Sequence, residues 1–267
     1  MEPLIQMSIL ETATAVLRLM AARQAEVTMT DLVERLDMPK STASRVLKQM
    51  AEEGLLVRNA TTLAYRPSLL LLELSHLVRA STPLIEMCAQ ALDDLGQEYG
   101  HTGYVSVLDG DDVVVLRVRP GSQALRAMTN PGHRLASWAT STGRSLLARE
   151  TDDQIRTRFP DGLPTLRENG QPIGGPATLD ALITKLQTVR DLRYAVAENE
   201  ALSGVCSVGC AVADPNSGEC LSFCMTFPAA MLPAAEIQAI AQRVASHAEL
   251  IGRSVGDPFW IPSRLVR

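Results

Sequence analysis

Thr28-Met29-Thr30-Asp31-Leu32-Val33-Glu34-Arg35-Leu36-Asp37-Met38-Pro39-Lys40-Ser41-Thr42-Ala43-Ser44-Arg45-Val46-Leu47-Lys48-Gln49-Met50 is the stretch on which the reading of this chain turns. Thr28 followed three residues later by Asp31 has the form of an N-terminal cap, in which each side chain satisfies a backbone N–H that the first helical turn leaves free. The short helix it opens carries Leu32, Val33 and Leu36 inward. Asp37-Met38-Pro39 reads as a tight turn, and Pro39 suits the first turn of the next helix, where no N–H is needed. That helix is expected from Lys40 to about Glu53. Ala43, Val46, Leu47 and Met50 recur on one face at helical spacing. Ser41, Arg45 and Lys48 take the other, flanked by Thr42, Ser44 and Gln49. Gly54 is placed to end the helix.

Working outward, Leu55–Arg58 and Leu63–Arg66 read as two short strands joined by the polar Asn59-Ala60-Thr61-Thr62, and a helix is expected upstream from Ser8 to Arg23. Three helices followed by a hairpin make a winged helix-turn-helix. A helix that reads duplex DNA needs short polar and cationic side chains on one face, because Arg and Lys meet phosphates or guanine edges while Ser and Thr reach either. Lys40, Ser41, Thr42, Ser44, Arg45 and Lys48 supply that set, and Arg58 and Arg66 extend it on the wing. The formal charge of the whole chain is −5, the wrong sign for a nucleic-acid binder taken globally. Between Pro39 and Pro67, however, Lys40, Arg45, Lys48, Arg58 and Arg66 outnumber Glu52 and Glu53 by 5 − 2 = 3. The expected macromolecular partner is double-stranded operator DNA.

With 267 residues the chain is long enough for two domains, and 46% hydrophobic against 21% charged residues excludes a disordered polymer. We expect a DNA-binding domain over 1–67, a linker helix over 68–80 and a sensing domain over 81–267. The linker, Ser68-Leu69-Leu70-Leu71-Leu72-Glu73-Leu74, offers more apolar surface than a solvated connection needs. It points to a homodimer through the N-terminal half, with a homotetramer through the C-terminal domains. No apolar run approaches the roughly 18–20 residues of a membrane span, and the start lacks a secretory signal. A cytoplasmic protein with no membrane partner is therefore expected, and the odd number of cysteines, 5, fits a reducing compartment. In the C-terminal part we expect helices over 83–99, 141–150, 178–191 and 233–254. Strands are expected over 102–108, 112–118, 194–197, 205–213 and 219–226, with a loop rich in Pro and Gly from Phe159 to Pro176. The fold class is α+β, with helices around an antiparallel sheet.

Cys206, Cys210, Cys220 and Cys224 raise the question of a metal. If the turn Asp214–Gly218 pairs residue 213 with 219, residue 206 lies opposite 226, and strand alternation puts all four cysteines on one face with Ser222 and Thr226. Four thiolates along flat strands are poorly placed for a tetrahedron, and small buried cysteines are common, so no metal and no cofactor are expected. His76, His101, His133 and His247 fall in no catalytic motif, which argues against an enzyme. The competing reading is a cytoplasmic metal-binding or hydrolase-like α+β protein with an accessory DNA-binding domain.

Thr30 to Leu47 resembles, nearly residue for residue, the DNA-binding segment of the IclR family of bacterial regulators. Gly132-His133-Arg134-Leu135-Ala136-Ser137-Trp138-Ala139-Thr140-Ser141-Thr142-Gly143-Arg144-Ser145-Leu146-Leu147-Ala148 is similar to a second family motif, and Tyr194–Val212 to a third. The chain departs from the family at Trp138, where a histidine is usual, and at Cys210-Ala211. The resemblance implies a GAF-like effector domain that binds a small organic acid over its sheet. It implies effector contacts from Cys206, Cys224 and Thr226, from Thr142 and Gly143 at a helix start that offers N–H groups to an anion, and from Glu198 and Glu200. Trp138 would stack on an aromatic effector if it faces the pocket. Repressor and activator are both open.

Overall fold

The computed structural model describes residues 8–23, 25–80, 83–122, 129–165, 167–168, 171–172 and 174–261. These fall into two compact units divided between residues 81 and 82.

The first unit contains α1 (Ile9–Arg23), α2 (Met29–Leu36), α3 (Lys40–Glu52), β1 (Leu56–Arg58), β2 (Tyr65–Pro67) and α4 (Leu69–Ala80). Thr28 caps α2 reciprocally: its hydroxyl accepts from the Asp31 N–H at 3.3 Å, and Asp31 Oδ2 accepts from the Thr28 N–H at 2.7 Å. Asp37 ends α2 in the left-handed conformation, and Pro39 is the residue before α3 rather than inside its first turn. The core joins Val16 and Met20 of α1, Leu32 of α2, the Ala43/Val46/Leu47/Met50 stripe of α3, and Leu56 and Tyr65 of the hairpin. Val27 exchanges both backbone bonds with Tyr65, at 3.0 and 2.8 Å, and so ties the wing to the segment before α2.

The second unit runs α5 (Pro83–Tyr99), β3 (Thr102–Asp109), β4 (Asp112–Arg119), β5 (Arg134–Ala136), a single 3-10 turn (Ser137–Ala139), α6 (Ser141–Leu147) and α7 (Asp152–Arg158). It continues with β6 (Arg167–Glu168), β7 (Gln171–Pro172), α8 (Leu179–Leu192), β8 (Ala195–Glu198), β9 (Val205–Asp214), β10 (Glu219–Pro228) and α9 (Ala234–Val255). Six strands pair antiparallel in the order β5-β4-β3-β10-β9-β8. The chain is thus α+β. Strands β5, β6 and β7 and helix α7 are additions to what the sequence pattern suggested, and α6 stops three residues short of the expected end at 150.

Strand alternation divides the sheet residues between two layers. Val105, Cys206, Val208, Cys210, Val212, Leu221, Phe223, Met225 and Phe227 face α5 and α9 and make the larger core. The opposite face is covered by the 3-10 turn, α6 and α8. Gly209 lets α6 approach the sheet closely: a Cβ there would stand 3.1 Å from the Ser141 hydroxyl and 3.1 Å from the Cys224 Cβ. After α9 the chain folds back. The Trp260 indole fits where Gly252 leaves room, and donates to the Ala211 carbonyl at 2.8 Å. Fully buried Asp257 accepts from the Ala213 N–H at 2.8 Å and from Arg149 at 2.6 Å.

Candidate functional site

Among the described residues, two places stand out for the chemistry-bearing side chains they bring together. The first is α3 and the wing. Lys40, Ser41, Ser44, Arg45 and Lys48 are exposed, Thr42 is half-buried, and the apolar stripe of α3 is buried on the other side. The helix thus presents one basic, hydroxyl-rich face on a rigid base. Lys48 sits 3.5 Å from Glu52 across one turn, an exposed pair that water screens and a phosphate can displace. On the hairpin, Val57 pairs with Arg66 and Arg58 with Tyr65; both arginines are exposed, and the Arg58 guanidinium lies 5.9 Å from the Tyr65 ring centroid. This arrangement can hold phosphates along the wing while α3 meets base edges.

The second is a cavity on the α6 face of the sheet, about 580 Å³ with its open mouth included. Tyr104 and Ser106 of β3, Ser207 of β9, and Cys224 and Thr226 of β10 line it from the sheet. Ala139, Thr140, Ser141 and Thr142 close it from the 3-10 turn and the start of α6, and Glu200 and Leu202 from the loop after β8. The wall is largely apolar, with hydroxyls set into it. Ser141 donates to Ser207 at 2.8 Å, linking α6 to β9 across the cavity wall, and the Cys224 thiol lies 3.7 Å from the Thr226 hydroxyl. Pockets of this make-up, apolar with a few convergent polar groups, suit small organic ligands.

Among the described residues Glu200 is the charged member of the lining, and its carboxylate is held from two sides. Arg144 Nη1 donates to Oε2 at 2.5 Å, and Lys185 Nζ of α8 donates to Oε1 at 3.1 Å. The Arg144 side chain is only 1% exposed, and its other branch donates to the Val196 carbonyl. Two cations thus offset the one carboxylate, so Glu200 does not stand as a bare negative charge at the cavity wall.

The structure separates the eight residues the sequence nominated for the effector. Thr142, Glu200, Cys224 and Thr226 line the cavity. The other four do not. Cys206 pairs with Phe227, not with residue 226, because Asp214 pairs with Glu219 and the turn holds four residues instead of five. That one-residue slip sends Cys206 and Cys210 into the α5/α9 core and leaves Cys220 and Cys224 on the opposite face. The four cysteines therefore do not share a face. Glu198 pairs with Cys206 and projects with it away from the cavity, while its neighbour Ala197 lines it. Trp138 points into the α7/α8 layer, edge-on to Phe159 at 5.6 Å, since successive residues of a 3-10 turn diverge by about 120°. Adjacent Ala139 takes the cavity side instead. At Gly143 the N–H is already bonded to Thr140 Oγ1 at 3.1 Å, and a Cβ would lie 2.1 Å from the Ser137 carbonyl oxygen; the glycine serves close packing.

Sequence reasoning missed Tyr104, Ser141, Ser207 and Arg144. Ser141 and Arg144 stood inside the quoted Gly132–Ala148 motif, but nothing in the sequence said which turn of α6 faces the sheet. Burial drives the thiols up, Cys206 to about 12 and Cys224 to about 11, so both are protonated at neutral pH. No group of three or more His, Cys, Asp or Glu among the described residues could hold a metal ion.

Comparison with known proteins follows the same two-part division. The sequence family described as the IclR helix-turn-helix domain matches residues 10–60, and that described as bacterial transcriptional regulator IclR C-terminal matches residues 76–253. The HTH-type transcriptional regulator XynR of Escherichia coli (strain K12) is 26% identical over 260 residues, spanning 96% of this chain and 99% of that protein. The crystal structure of an IclR transcriptional regulator from Alicyclobacillus acidocaldarius has a TM-score of 0.77 at 20% identity, covering 93% of this chain and 98% of that one. An IclR homologue from Microbacterium hydrocarbonoxydans, solved in complex with 4-hydroxybenzoate, has a TM-score of 0.73 at 20% identity, covering 92% of this chain and 100% of that one. These structural likenesses speak for the fold alone.

Proposed function

The chain belongs to the IclR family of transcriptional regulators, and from that premise we propose that it reads operator DNA under the control of a small organic acid bound in the cavity. The observation that carries this reading is the cavity itself: a partly enclosed apolar space with Ser141, Thr142, Ser207 and Thr226 at its wall, in a chain with a helix-turn-helix. Those hydroxyls would hold the ligand's carboxylate, and Tyr104, Leu202 and neighbouring apolar groups its body. An aromatic acid fits this description through Tyr104 rather than through Trp138, which the fold places in another core. The complex of the Microbacterium relative makes 4-hydroxybenzoate a sensible first probe. The ligand is released unchanged, so no catalytic group is required.

On the DNA side, two half-sites call for a homodimer, and the exposed Leu69, Leu70, Leu72 and Leu74 of α4 offer apolar surface for its formation. The C-terminal units would then associate into a tetramer. The chain acts where the chromosome is, in the cytoplasm. The test is calorimetry of the full chain with a panel of organic acids that includes 4-hydroxybenzoate, with binding to a selected duplex measured alongside. Thr226→Val keeps the shape and removes a hydroxyl, and should cost about 1–3 kcal/mol of ligand affinity with duplex binding unchanged. Arg45→Ala should leave ligand binding intact and cost about 1–3 kcal/mol per half-site with relaxed sequence preference. Parent-like ligand binding by Thr226→Val would move the site elsewhere.

A further inference from the structure

The tip of the wing combines three features that the DNA-contact reading leaves unused. Leu63 has φ +60°, a left-handed backbone in which a branched side chain is strained. It is also 55% exposed, so burial in its own unit does not explain why an apolar residue occupies this position. The loop around it is held firmly. Asn59 Oδ1 accepts from the Thr61 and Thr62 N–H groups at 2.9 and 3.2 Å; the Leu63 N–H donates to the Asn59 carbonyl at 3.0 Å, and the Asn59 N–H to the Ala64 carbonyl at 2.8 Å. The strands beneath carry the exposed cations Arg58 and Arg66. An isobutyl group is therefore fixed at the end of a narrow, positively charged hairpin, in a conformation that Gly or Asn would adopt at less cost.

We propose that Leu63 is an apolar wedge for duplex DNA: the wing enters the minor groove, Arg58 and Arg66 hold the flanking phosphates, and the leucine side chain inserts at a base step and bends the helix. The partner is fixed by charge and shape together. Cations flanking a single protruding apolar group suit a polyanion with an apolar interior reached through a groove, and side chains such as leucine are known to unstack steps from that side. Bending would occur at pyrimidine–purine steps, which unstack most readily, so the protein would favour such steps at positions that no hydrogen bond reads. The inference rests on the proposed DNA-binding face but is separable from it.

The experiment uses the full chain and a duplex that it selects from a pool with a randomised centre. Bending is read from the gel mobility of complexes with the site at different places along a fragment, and unstacking from the fluorescence of 2-aminopurine at the flexible step. The parent should bend its duplex and brighten the probe. Leu63→Asn, which tolerates the left-handed backbone, should melt no lower than the parent yet lose the bend, the brightening and the step preference. Its affinity should fall by less than about tenfold, because lost apolar burial and regained base stacking offset each other. Leu63→Met keeps an apolar side chain and should keep the bend. Arg45→Ala should lose affinity whatever the wing does. If the parent leaves its duplex straight, or Leu63→Asn bends it like the parent while Arg45→Ala loses affinity, the wedge is refuted and the DNA-binding face stands. Selection of no duplex at all would overturn both.

Discussion

Replacing Arg144 by methionine tests the ion pair on which the rim of the cavity is built. The guanidinium is 1% exposed and the Glu200 carboxylate 10%, so neither charge has water to fall back on. Removing one member of a buried pair strands the other, at a cost of about 3–5 kcal/mol. Here the loss should sit at the low end, about 3 kcal/mol, because Glu200 keeps Lys185, itself 46% exposed and in contact with solvent. Glu200→Gln strands the guanidinium instead; its amide oxygen still accepts one bond, and a similar cost of about 3 kcal/mol is expected. The double variant removes both charges. It should cost little more than either single change, giving a coupling energy of about 2–3 kcal/mol.

Both tryptophans of the chain, Trp138 and Trp260, lie in the second unit, so their fluorescence reports its unfolding without interference from the first. For a domain of this size each kcal/mol moves the melting temperature by about 2–4 °C, which places either single variant about 6–12 °C below the parent. Urea titrations of the four proteins then close the cycle. Losses that add to within about 0.5 kcal/mol would show that the two residues stabilise the domain independently and that neither charge is stranded by loss of the other.

Gly143→Ala keeps the backbone N–H but drives a Cβ to 2.1 Å from the Ser137 carbonyl oxygen and 2.4 Å from its Cα, so it should destabilise the domain by about 3 kcal/mol. A parent-like melting temperature would remove the packing role assigned to this glycine. Burial holds His101 below the usual histidine pKa of 6.5, and His247 likewise, so the folded state resists their protonation while the unfolded chain does not. Stability should therefore be full above pH 6.5 and fall as the pH drops through and below that value, and His101→Phe should flatten part of the slope; an unchanged slope would place the titrating groups elsewhere. With Cys88, Cys206, Cys220 and Cys224 all driven up to about 11 or 12 by burial, a thiol reagent at neutral pH should label the native protein slowly and the urea-unfolded chain fast. Rapid native labelling of Cys88, Cys206 or Cys224 would contradict their burial, whereas half-buried Cys220 should be the first to react.

The first unit was legible because its helices α2 and α3 are written in local chemistry, though the strand expected over 63–66 lies at Tyr65–Pro67. Thr28 and Asp31 cap one another across three residues, and the α3 stripe buries Ala43, Val46, Leu47 and Met50 on one side only. No distant contact is needed to read either. The second unit hid its shorter elements. β5 has three residues, exposed and half-buried, with no alternation to detect, and it forms only because β4 lies beside it. Helix α7 did carry a signal: Thr151, just ahead of Asp152–Arg158, forms a capping box with Gln154 in the first turn, the same device as at α2. Arg144 could not have been found from sequence, since its partners Glu200 and Val196 stand more than 50 residues away and meet it only through the sheet.

The β9–β10 hairpin shows where a reading by turn residues alone goes astray. Pairing 213 with 219 and pairing 214 with 219 are both compatible with Asp214-Pro215-Asn216-Ser217-Gly218, and they differ by one residue, which turns one strand's side chains over relative to the other. What decides between them is the matching of sizes across the strands. In the observed register Phe227 lies opposite Cys206, Met225 opposite Val208 and Phe223 opposite Cys210, so every large apolar group of the pair faces α5 and α9. The alternative would set Phe223 and Phe227 on the same face as Ser207 and Gly209, and Val208 opposite Cys224, leaving both faces mixed. The same matching leaves small residues on the other side, with Ser207 opposite Thr226, Gly209 opposite Cys224 and Ala211 opposite Ser222. A sheet face built of such residues does not fill the space beneath the 3-10 turn and α6. The cavity is thus a consequence of the register: the large side chains that would have closed it are committed to the opposite layer.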